Sequence, residues 1–195
     1  MLRRDFLKGV VASLSSVTVC PGLGNMKSPN INKRKPNIIY IMTDDLGYGD
    51  LSCYAQKKFL TPNIDRLAAE GMKFTQHYAG STVCAPSRSS LLTGKHCGHT
   101  PVRGNYSCEG EGQYPLPENT VTVAELLKKA GYKTGCIGKW GLGGPGSSGE
   151  PNKQGFDHWF GYLCQLEAHN FYPGHMWRNG KKIVYENNKS EHNVY

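Results

Sequence analysis

Residues 80–94 read GSTVCAPSRSSLLTG and place a cysteine, a proline and an arginine where a helix is predicted to begin. Pro86 favours the first turn of a helix, and Ser87–Leu92 can continue it. Cys84 then lies at the positive end of the helix dipole, where a thiol is acidified and an oxyanion is stabilised. Arg88 lies one turn further on the same side. The segment therefore predicts a site at which an anion is held beside Cys84.

This segment has two other possible interpretations, a cysteine phosphatase loop and a buried free thiol. A phosphatase loop of the C-x5-R type needs its arginine at position 90, which is Ser90, so the spacing excludes it. A buried free thiol is the ordinary role of an isolated cysteine. That role leaves the neighbouring Pro86 and Arg88 unexplained.

The segments on either side predict an α/β fold with a mainly parallel sheet. An apolar run of strand length, IIYIM, is typical of a strand covered on both faces. The chain after Gly138 is rich in glycine, proline and aromatic residues, which favours surface loops around a site over a new core. The predicted strands are residues 38–42, 74–78 and 132–137.

Two helices are predicted from their capping signals. Thr61 is followed by Pro62, which suits the first helical position, and Gly71 suits the exit. Thr122 and Glu125 have the spacing of a capping box. The predicted buried stripes are Ile64, Leu67, Ala68 and Met72 in the first helix and Val123, Leu126, Leu127 and Ala130 in the second.

Asp44 and Asp45 follow the first predicted strand directly. The carboxyl end of a strand is where open α/β sheets bind ligands. Adjacent carboxylates repel each other unless a cation lies between them, and oxygen ligands favour Ca²⁺ or Mg²⁺. The alternative is an ordinary turn, in which aspartate is common.

Charge and cysteine content limit the classes of partner. The 195 residues carry 23 Lys and Arg against 15 Asp and Glu, a net charge of +8, which favours acidic partners. The basic residues form no long run, and the densest cluster is Lys33–Lys35, so we do not expect nucleic-acid binding. The seven cysteines include no CxxC pair, which argues against a zinc framework.

The first 24 residues have the features of an export signal. Arg3 and Arg4 precede a modest apolar run from Gly9 to Val19, and the basic start resembles the twin-arginine type. The run is too short for a membrane span. A disordered basic tail is the alternative, and bulky Val19 argues against lipid attachment at Cys20. The predicted organisation is an export signal at 1–24, a linker at 25–36 and a folded part at 37–195.

Three motifs together resemble the sulfatase family. Residues 84–94 are similar to the signature C-x-P-S-R-x-x-x-x-T-G, and Gly131–Thr134 with Gly138–Trp140 resemble the second motif. Asp44 and Asp45 stand where sulfatases place their first metal ligands. The resemblance implies an alkaline-phosphatase-like α/β fold, with a mainly parallel central sheet flanked by helices. Residues 37–195 would be the amino-terminal part of its catalytic domain, so the sheet is incomplete in this chain.

The resemblance also implies a mechanism and a site. In sulfatases a formylglycine-generating enzyme, which reads the proline and the arginine, oxidises the signature cysteine, here Cys84, to formylglycine. One hydroxyl of the hydrated aldehyde attacks sulfur, and the other later helps to expel sulfate. A divalent metal, Ca²⁺ by resemblance, would be held by Asp44, Asp45 and the modified Cys84. Arg88 would orient the hydrate, and Lys139 would bind the sulfate.

The sequence departs from the family in two places. The second motif usually continues with histidine, but position 141 is Gly141. His169 is the candidate for a substrate-side or acid/base role in its place, with His175 behind it. The second departure is length, because sulfatases are much longer chains and carry their remaining metal ligands in a late segment that this sequence of 195 residues does not include. The other histidines are expected to be exposed side chains: His77, His96, His99 and His158.

The resulting hypothesis is a periplasmic or secreted sulfuric ester hydrolase that acts on a sulfated small molecule or glycan. A carbohydrate sulfate is preferred to an aryl sulfate because loop aromatics offer stacking surfaces. The alternatives are a phosphodiesterase or phosphonate monoester hydrolase of the same superfamily and an inactive truncated remnant. The aromatic residues are Trp159, Phe160, Tyr162, Phe171, Tyr172 and Trp177.

Overall fold

The computed structural model describes residues 35–185 of the chain. The predicted export signal at 1–24, Cys20 and most of the predicted linker lie outside the described residues. The described chain divides into two units, one ending at Met42 and the other beginning at Thr43.

Residues 35–42 contain no helix or strand. The prediction of a buried strand at 38–42 is wrong for this structure, in which Ile39 is 86% exposed and Ile41 77% exposed. A strand is stabilised by ladder hydrogen bonds and by burial of its faces, and these residues have neither. The strand predicted at 74–78 is also absent, since this segment is irregular and its aromatic side chains lie at the surface.

The described part of the second unit, residues 43–185, contains three α-helices. Helix α1 is Pro62–Glu70, α2 is Cys84–Thr93 and α3 is Val123–Lys129. Pro62 occupies the predicted first position of α1. Helix α2 begins two residues earlier than Pro86 and ends at Gly94, which has the left-handed φ of 65° that favours glycine at a helix end. In residues 35–185 we find no helix with the length and apolar character needed to cross a membrane.

Helix α1 is held by polar contacts rather than by its apolar stripe. It contains no buried residue, and Leu67 is 62% exposed, so the predicted stripe is wrong. The Asp65 carboxylate instead accepts hydrogen bonds from Ser52 Oγ at 2.6 Å, from the Cys53 amide at 2.8 Å and from Thr61 Oγ1 at 3.0 Å. Thr61 therefore contributes through Asp65 and makes no side-chain cap of its own.

Helix α3 begins with the predicted capping box. Thr122 Oγ1 accepts from the Glu125 amide at 3.2 Å, and the Glu125 carboxylate accepts from the Thr122 amide at 3.1 Å. Thr122 Oγ1 also donates to the Gln154 carbonyl at 2.8 Å. The buried residue of α3 is Ala124, whereas Leu126 is 54% exposed, so the cap was predicted correctly and the stripe was not.

The described residues form one four-stranded sheet in the order β1-β2-β3-β4. Strands β1 and β2 are parallel, and β2 with β3 and β3 with β4 are antiparallel. The sheet is therefore mixed in this part of the chain, and β1 overlaps the strand predicted at 132–137. The strands are Gly135–Lys139, His158–Tyr162, His175–Arg178 and Lys181–Val184.

The parallel pair meets at two glycines. Gly138 of β1 is the register partner of Gly161 of β2. A Cβ on Gly161 would lie 2.7 Å from the Gly138 carbonyl carbon and closer still to its oxygen, so only glycine fits this approach. The ladder continues beyond β1, because the Trp140 amide donates to the Tyr162 carbonyl at 2.9 Å.

Four of the seven core residues lie in the part of the chain after Gly138, which was predicted to be surface loops. Trp140, Leu142, Trp159 and Leu163 are each at most 2% exposed. Glycines explain the difference, because they let backbones pack so closely that the side chains between them are enclosed. A Cβ on Gly112, for example, would lie 2.5 Å from a backbone atom of the 142–149 segment. The core cluster consists of Ala85, Val102, Leu116, Trp140, Leu142, Trp159 and Leu163.

Candidate active site

The Lys139 side chain joins three of the predicted site residues. Its Nζ donates to Asp44 Oδ2 at 2.8 Å and to Cys84 Sγ at 3.3 Å, and it lies 3.1 Å from His169 Nε2. A lysine ammonium carries three N–H donors and no acceptor. All three donors are therefore used here, and His169 Nε2 is an acceptor in this arrangement. Lys139 ends β1, and its side chain is only 9% exposed.

Arg88 contacts the backbone of Lys139. Its Nη1 donates to the Lys139 carbonyl oxygen, which ties helix α2 to the end of β1. Burial lowers the pKa of Arg88, while the nearby Asp44 and Cys84 act in the opposite direction. Arg88 Nε is buried and has no hydrogen-bond partner within residues 35–185. Arg88 thus has a buried Nε donor that is not paired with any of these residues.

Cys84 is the first residue of α2, as its position before Pro86 suggested. The next amide, that of Ala85, donates to Asn105 Oδ1 at 2.9 Å, so this side chain rather than an α2 residue satisfies one free N–H of the helix start. Cys136 in β1 contrasts with this setting. Burial raises the pKa of Cys136 to about 11, which keeps it a protonated thiol.

Asp44 and Asp45 differ in their surroundings. The Lys139 hydrogen bond lowers the pKa of Asp44, against the opposing effect of burial, so Asp44 stays ionised. Asp45 has a left-handed φ of 55°, and its carboxylate makes no hydrogen bond or ion pair within residues 35–185. In the same part of the chain no three His, Cys, Asp or Glu side chains are grouped as a metal site. Two carboxylates are therefore present where a full calcium site needs six to eight oxygens.

The sulfatase family model matches residues 36–187. The chain belongs to the sulfatase family. Human arylsulfatase G is 42% identical over 157 residues, which cover 80% of this chain and 29% of the relative. The N-acetylgalactosamine-6-O-sulfatase of Bacteroides thetaiotaomicron is 47% identical over 138 residues, which cover 66% of this chain and 27% of the relative. The chain thus spans less than a third of the length of these relatives.

Solved structures confirm the predicted fold class. One, from work on glycosaminoglycan metabolism by Bacteroides thetaiotaomicron, has a TM-score of 0.67 and 40% identity over 76% of this chain and 32% of its own. Another, solved in complex with its substrate D-glucosamine-2-N,6-O-disulfate, has a TM-score of 0.62 and 38% identity. It covers 78% of this chain and 28% of its own. The described chain is therefore an incomplete sulfatase fold.

The structure shows what fills the space left by the glycine in the second sulfatase motif. A Cβ on Gly141 would lie 2.5 Å from both Cγ and Cδ of Gln165. Gln165 is 3% exposed, and its Nε2 has no hydrogen-bond partner within residues 35–185. The Gln165 amide donates to Gln113 Oε1 at 2.8 Å. No motif points to Gln165 or Gln113, so sequence reasoning missed both.

The other histidines make no contact with the cluster formed by Lys139, Asp44, Cys84 and His169 within residues 35–185. His175, the first residue of β3, was the second candidate for the substrate-side or acid/base role. Its Nε2 lies 2.9 Å from Glu111 Oε2. Glu111 also accepts from Trp177 Nε1 at 2.7 Å. The remaining four are exposed, as predicted: His77, His96, His99 and His158.

The six aromatic residues predicted as stacking candidates differ in exposure, and two of them, Phe160 and Trp177, are partly buried against the core. Trp159 is 1% exposed and Tyr162 9% exposed, so they belong to the core and offer no stacking face to a ligand. Phe171 is 77% exposed and Tyr172 37% exposed, so both can contact a ligand at the surface. These two lie two and three residues after His169 in the chain.

Proposed function

We propose that this chain forms the amino-terminal part of the catalytic domain of an exported sulfuric ester hydrolase. The observation that carries the proposal is the Lys139 ammonium, which contacts Asp44, Cys84 and His169 within 2.8 to 3.3 Å. These three residues come from distant parts of the chain and bring a metal-type carboxylate, a modifiable thiol and a proton acceptor to one cation. The formylglycine mechanism that the family resemblance implies uses those three functions together.

The residues present fit the two groups that the family uses. Cys84 is half-buried at a helix start, beside a cation and an arginine, which suits an anion formed at position 84. Asp44 and Asp45 supply hard oxygen donors suited to Ca²⁺, and Asp44 is 50% exposed and thus accessible. Formylglycine at position 84 supplies a pair of hydroxyls on one carbon, and Ca²⁺ supplies a Lewis acid for a sulfate oxygen.

Each remaining residue has a role set by its contacts. Lys139 can exchange its contact with Cys84 Sγ for a sulfate oxygen, because it reaches both the thiol and the carboxylate. Arg88 fixes the backbone of Lys139 through the carbonyl oxygen and so holds the ammonium in place. His169 Nε2 accepts a hydrogen bond from Lys139, which leaves its proton on Nδ1. That neutral imidazole is suited to exchange a proton with the leaving oxygen.

The decisive test is the chemical state of residue 84. We would co-express the protein with a formylglycine-generating enzyme, alkylate it with iodoacetamide and digest it with trypsin, which releases residues 74–88. The alkylation is needed because the hydrated aldehyde and the free thiol have nearly equal masses. The proposal predicts an unalkylated, hydrazide-reactive peptide. Residues 96–103, with Cys97, provide the matched control, which should be fully alkylated.

A fully alkylated 74–88 peptide, obtained with an active maturation enzyme, would contradict the catalytic proposal. The Cys84→Ala variant should give no hydrazide-reactive peptide and no turnover. Removal of divalent metal with a chelator should abolish turnover and leave the modified peptide unchanged. That pair of results separates the metal from the modification.

Kinetics on a sulfate ester, a phosphate diester and a phosphonate monoester separate the proposal from a phosphodiesterase or phosphonate hydrolase. All three esters carry one negative charge near neutral pH, so a difference in kcat/KM reports the preference for sulfur or phosphorus rather than for charge. We expect a carbohydrate sulfate to be preferred to an aryl sulfate, supported by relatives that act on sulfated hexosamines and by exposed Phe171 and Tyr172. A higher kcat/KM for the phosphate diester or the phosphonate monoester would contradict the assignment.

A further inference from the structure

The Gln165 carboxamide combines burial, an unused donor and proximity to the Lys139 cluster. It is 3% exposed, and its Nε2 makes no hydrogen bond within residues 35–185. Leaving a buried amide donor unpaired is costly, so such a group in a native fold requires an explanation. A ligand that accepts its N–H would provide one.

Two chain segments bring this carboxamide against Gly141, two residues after Lys139. Residues 139–141 run alongside residues 163–169, and the segments meet at Lys139 Nζ with His169 Nε2, 3.1 Å apart. They meet again at Gly141, where the Gln165 side chain fills the space of a missing Cβ. Gly141 is two residues from Lys139, so their Cα atoms are at most about 7 Å apart.

The backbone of Gln165 is held in place by Gln113. Gln113 is 2% exposed, and its Oε1 accepts from the Gln165 amide at 2.8 Å, while its Nε2 donates to Cys164 Sγ at 3.6 Å. Gln113 follows Gly112, whose backbone packs against Gly144. The backbone of Gln165 is therefore clamped, although its carboxamide donor is free.

We propose that Gln165 Nε2 donates a hydrogen bond to the sulfate group of the substrate, and that Gln113 is the residue that positions it. This inference rests on the proposed function for the identity of the ligand. Gln165 Nε2 has no hydrogen-bond partner within residues 35–185, so it can donate to an anion without breaking an existing contact. Gly141 is required because any side chain there would occupy the space of the carboxamide.

The test uses inorganic sulfate binding as well as turnover. We would measure sulfate affinity by calorimetry, and KM and kcat on one sulfate ester, for Gln165→Leu, which keeps the size and removes the donor. A hydrogen bond to a charged group predicts roughly a tenfold to hundredfold weaker sulfate affinity and a matching rise in KM, with kcat nearly unchanged. Gln154→Leu is the matched control, because Gln154 is 1% exposed and lies outside the cluster.

Gly141→Ala provides a second, independent variant. Its Cβ would displace the carboxamide, so it should weaken sulfate binding about as much as Gln165→Leu. The double variant should be no weaker than Gly141→Ala alone. Gln113→Leu should weaken sulfate binding in the same direction, since it releases the Gln165 backbone.

The outcomes distinguish this inference from the proposed function. Unchanged sulfate affinity in Gln165→Leu, or an equal loss in Gln154→Leu, would overturn the role of Gln165. Absence of sulfate binding by the chain without any substitution would overturn it too. Sulfate binding that depends on Gln165, without turnover of any sulfate ester by the formylglycine form, would support this inference and contradict the proposed function.

Discussion

Replacing Gly161 by alanine tests whether the approach of β1 to β2 controls both stability and the site. The new Cβ would lie 2.7 Å from the Gly138 carbonyl carbon and 2.8 Å from its nitrogen, where contacts below 3.0 Å do not occur. Those atoms are backbone and cannot rotate away. The strands must therefore separate at the register pair that immediately precedes Lys139.

The expected loss can be estimated from two contributions. Overpacking a closed contact costs roughly 1–3 kcal/mol, and alanine at the φ of 152° found here adds about 1 kcal/mol of backbone strain. We expect Gly161→Ala to lower the free energy of unfolding by about 3 kcal/mol. With a urea slope of about 2 kcal/mol/M, the unfolding midpoint falls by about 1.5 M.

Gly174→Ala is the matched control for the same chemical change. A Cβ at Gly174 meets nothing within 4 Å. The free energy of unfolding of this variant should therefore differ from that of the original chain by no more than about 0.5 kcal/mol. Urea titrations followed by tryptophan fluorescence measure both variants. If Gly161→Ala proves as stable as Gly174→Ala, the close approach of these two strands is refuted.

Three further predictions follow from other contacts. Thr122→Val should lower the free energy of unfolding by about 1–2 kcal/mol through loss of the cap, while Thr122→Ser retains it; urea titration distinguishes them. Hydrogen bonds from Lys128 and from the Thr134 amide lower the pKa of Asp157 from 3.8 to about 2. The ionised Asp157 carboxylate therefore contributes stability above about pH 4 that is lost as the pH falls towards 2, and Asp157→Asn should flatten that part of a stability–pH curve. Lys139→Met should raise the pKa of Asp44, as NMR titration of its carboxyl would show.

Sequence reasoning selected the candidate site residues because the chemistry expected of them depends on a few residue types at fixed spacing. Cys84 and Arg88 are set by one helical turn, and a helix start near Pro86 is a local property. Lys139 and His169 were chosen from different segments, and the structure brings both to one cluster. The roles assigned to these residues stay predictions until residue 84 is analysed.

The same reasoning failed where the structure depends on contacts between distant segments. Burial of Trp140 and Trp159 follows from glycine backbones packing together across the sheet, and loop-like composition gave the opposite expectation. Gln113 and Gln165 are 52 residues apart, and glutamine has no motif that would link them. The apolar stripe of α1 was predicted from periodicity, which cannot show whether a covering layer is present.

The parallel register explains why the Lys139 cluster forms at all. Lys139 pairs with Tyr162, so the chain that leaves β2 starts level with the end of β1 and carries Gln165 and His169 past it. Parallel strands direct their carboxyl ends to the same edge, where helix α2 presents Cys84. A slip of one residue between these strands would move the segment by about 3.3 Å, more than the Lys139 to His169 contact tolerates. The glycine pair that fixes this register is therefore as necessary to the site as the side chains that meet there.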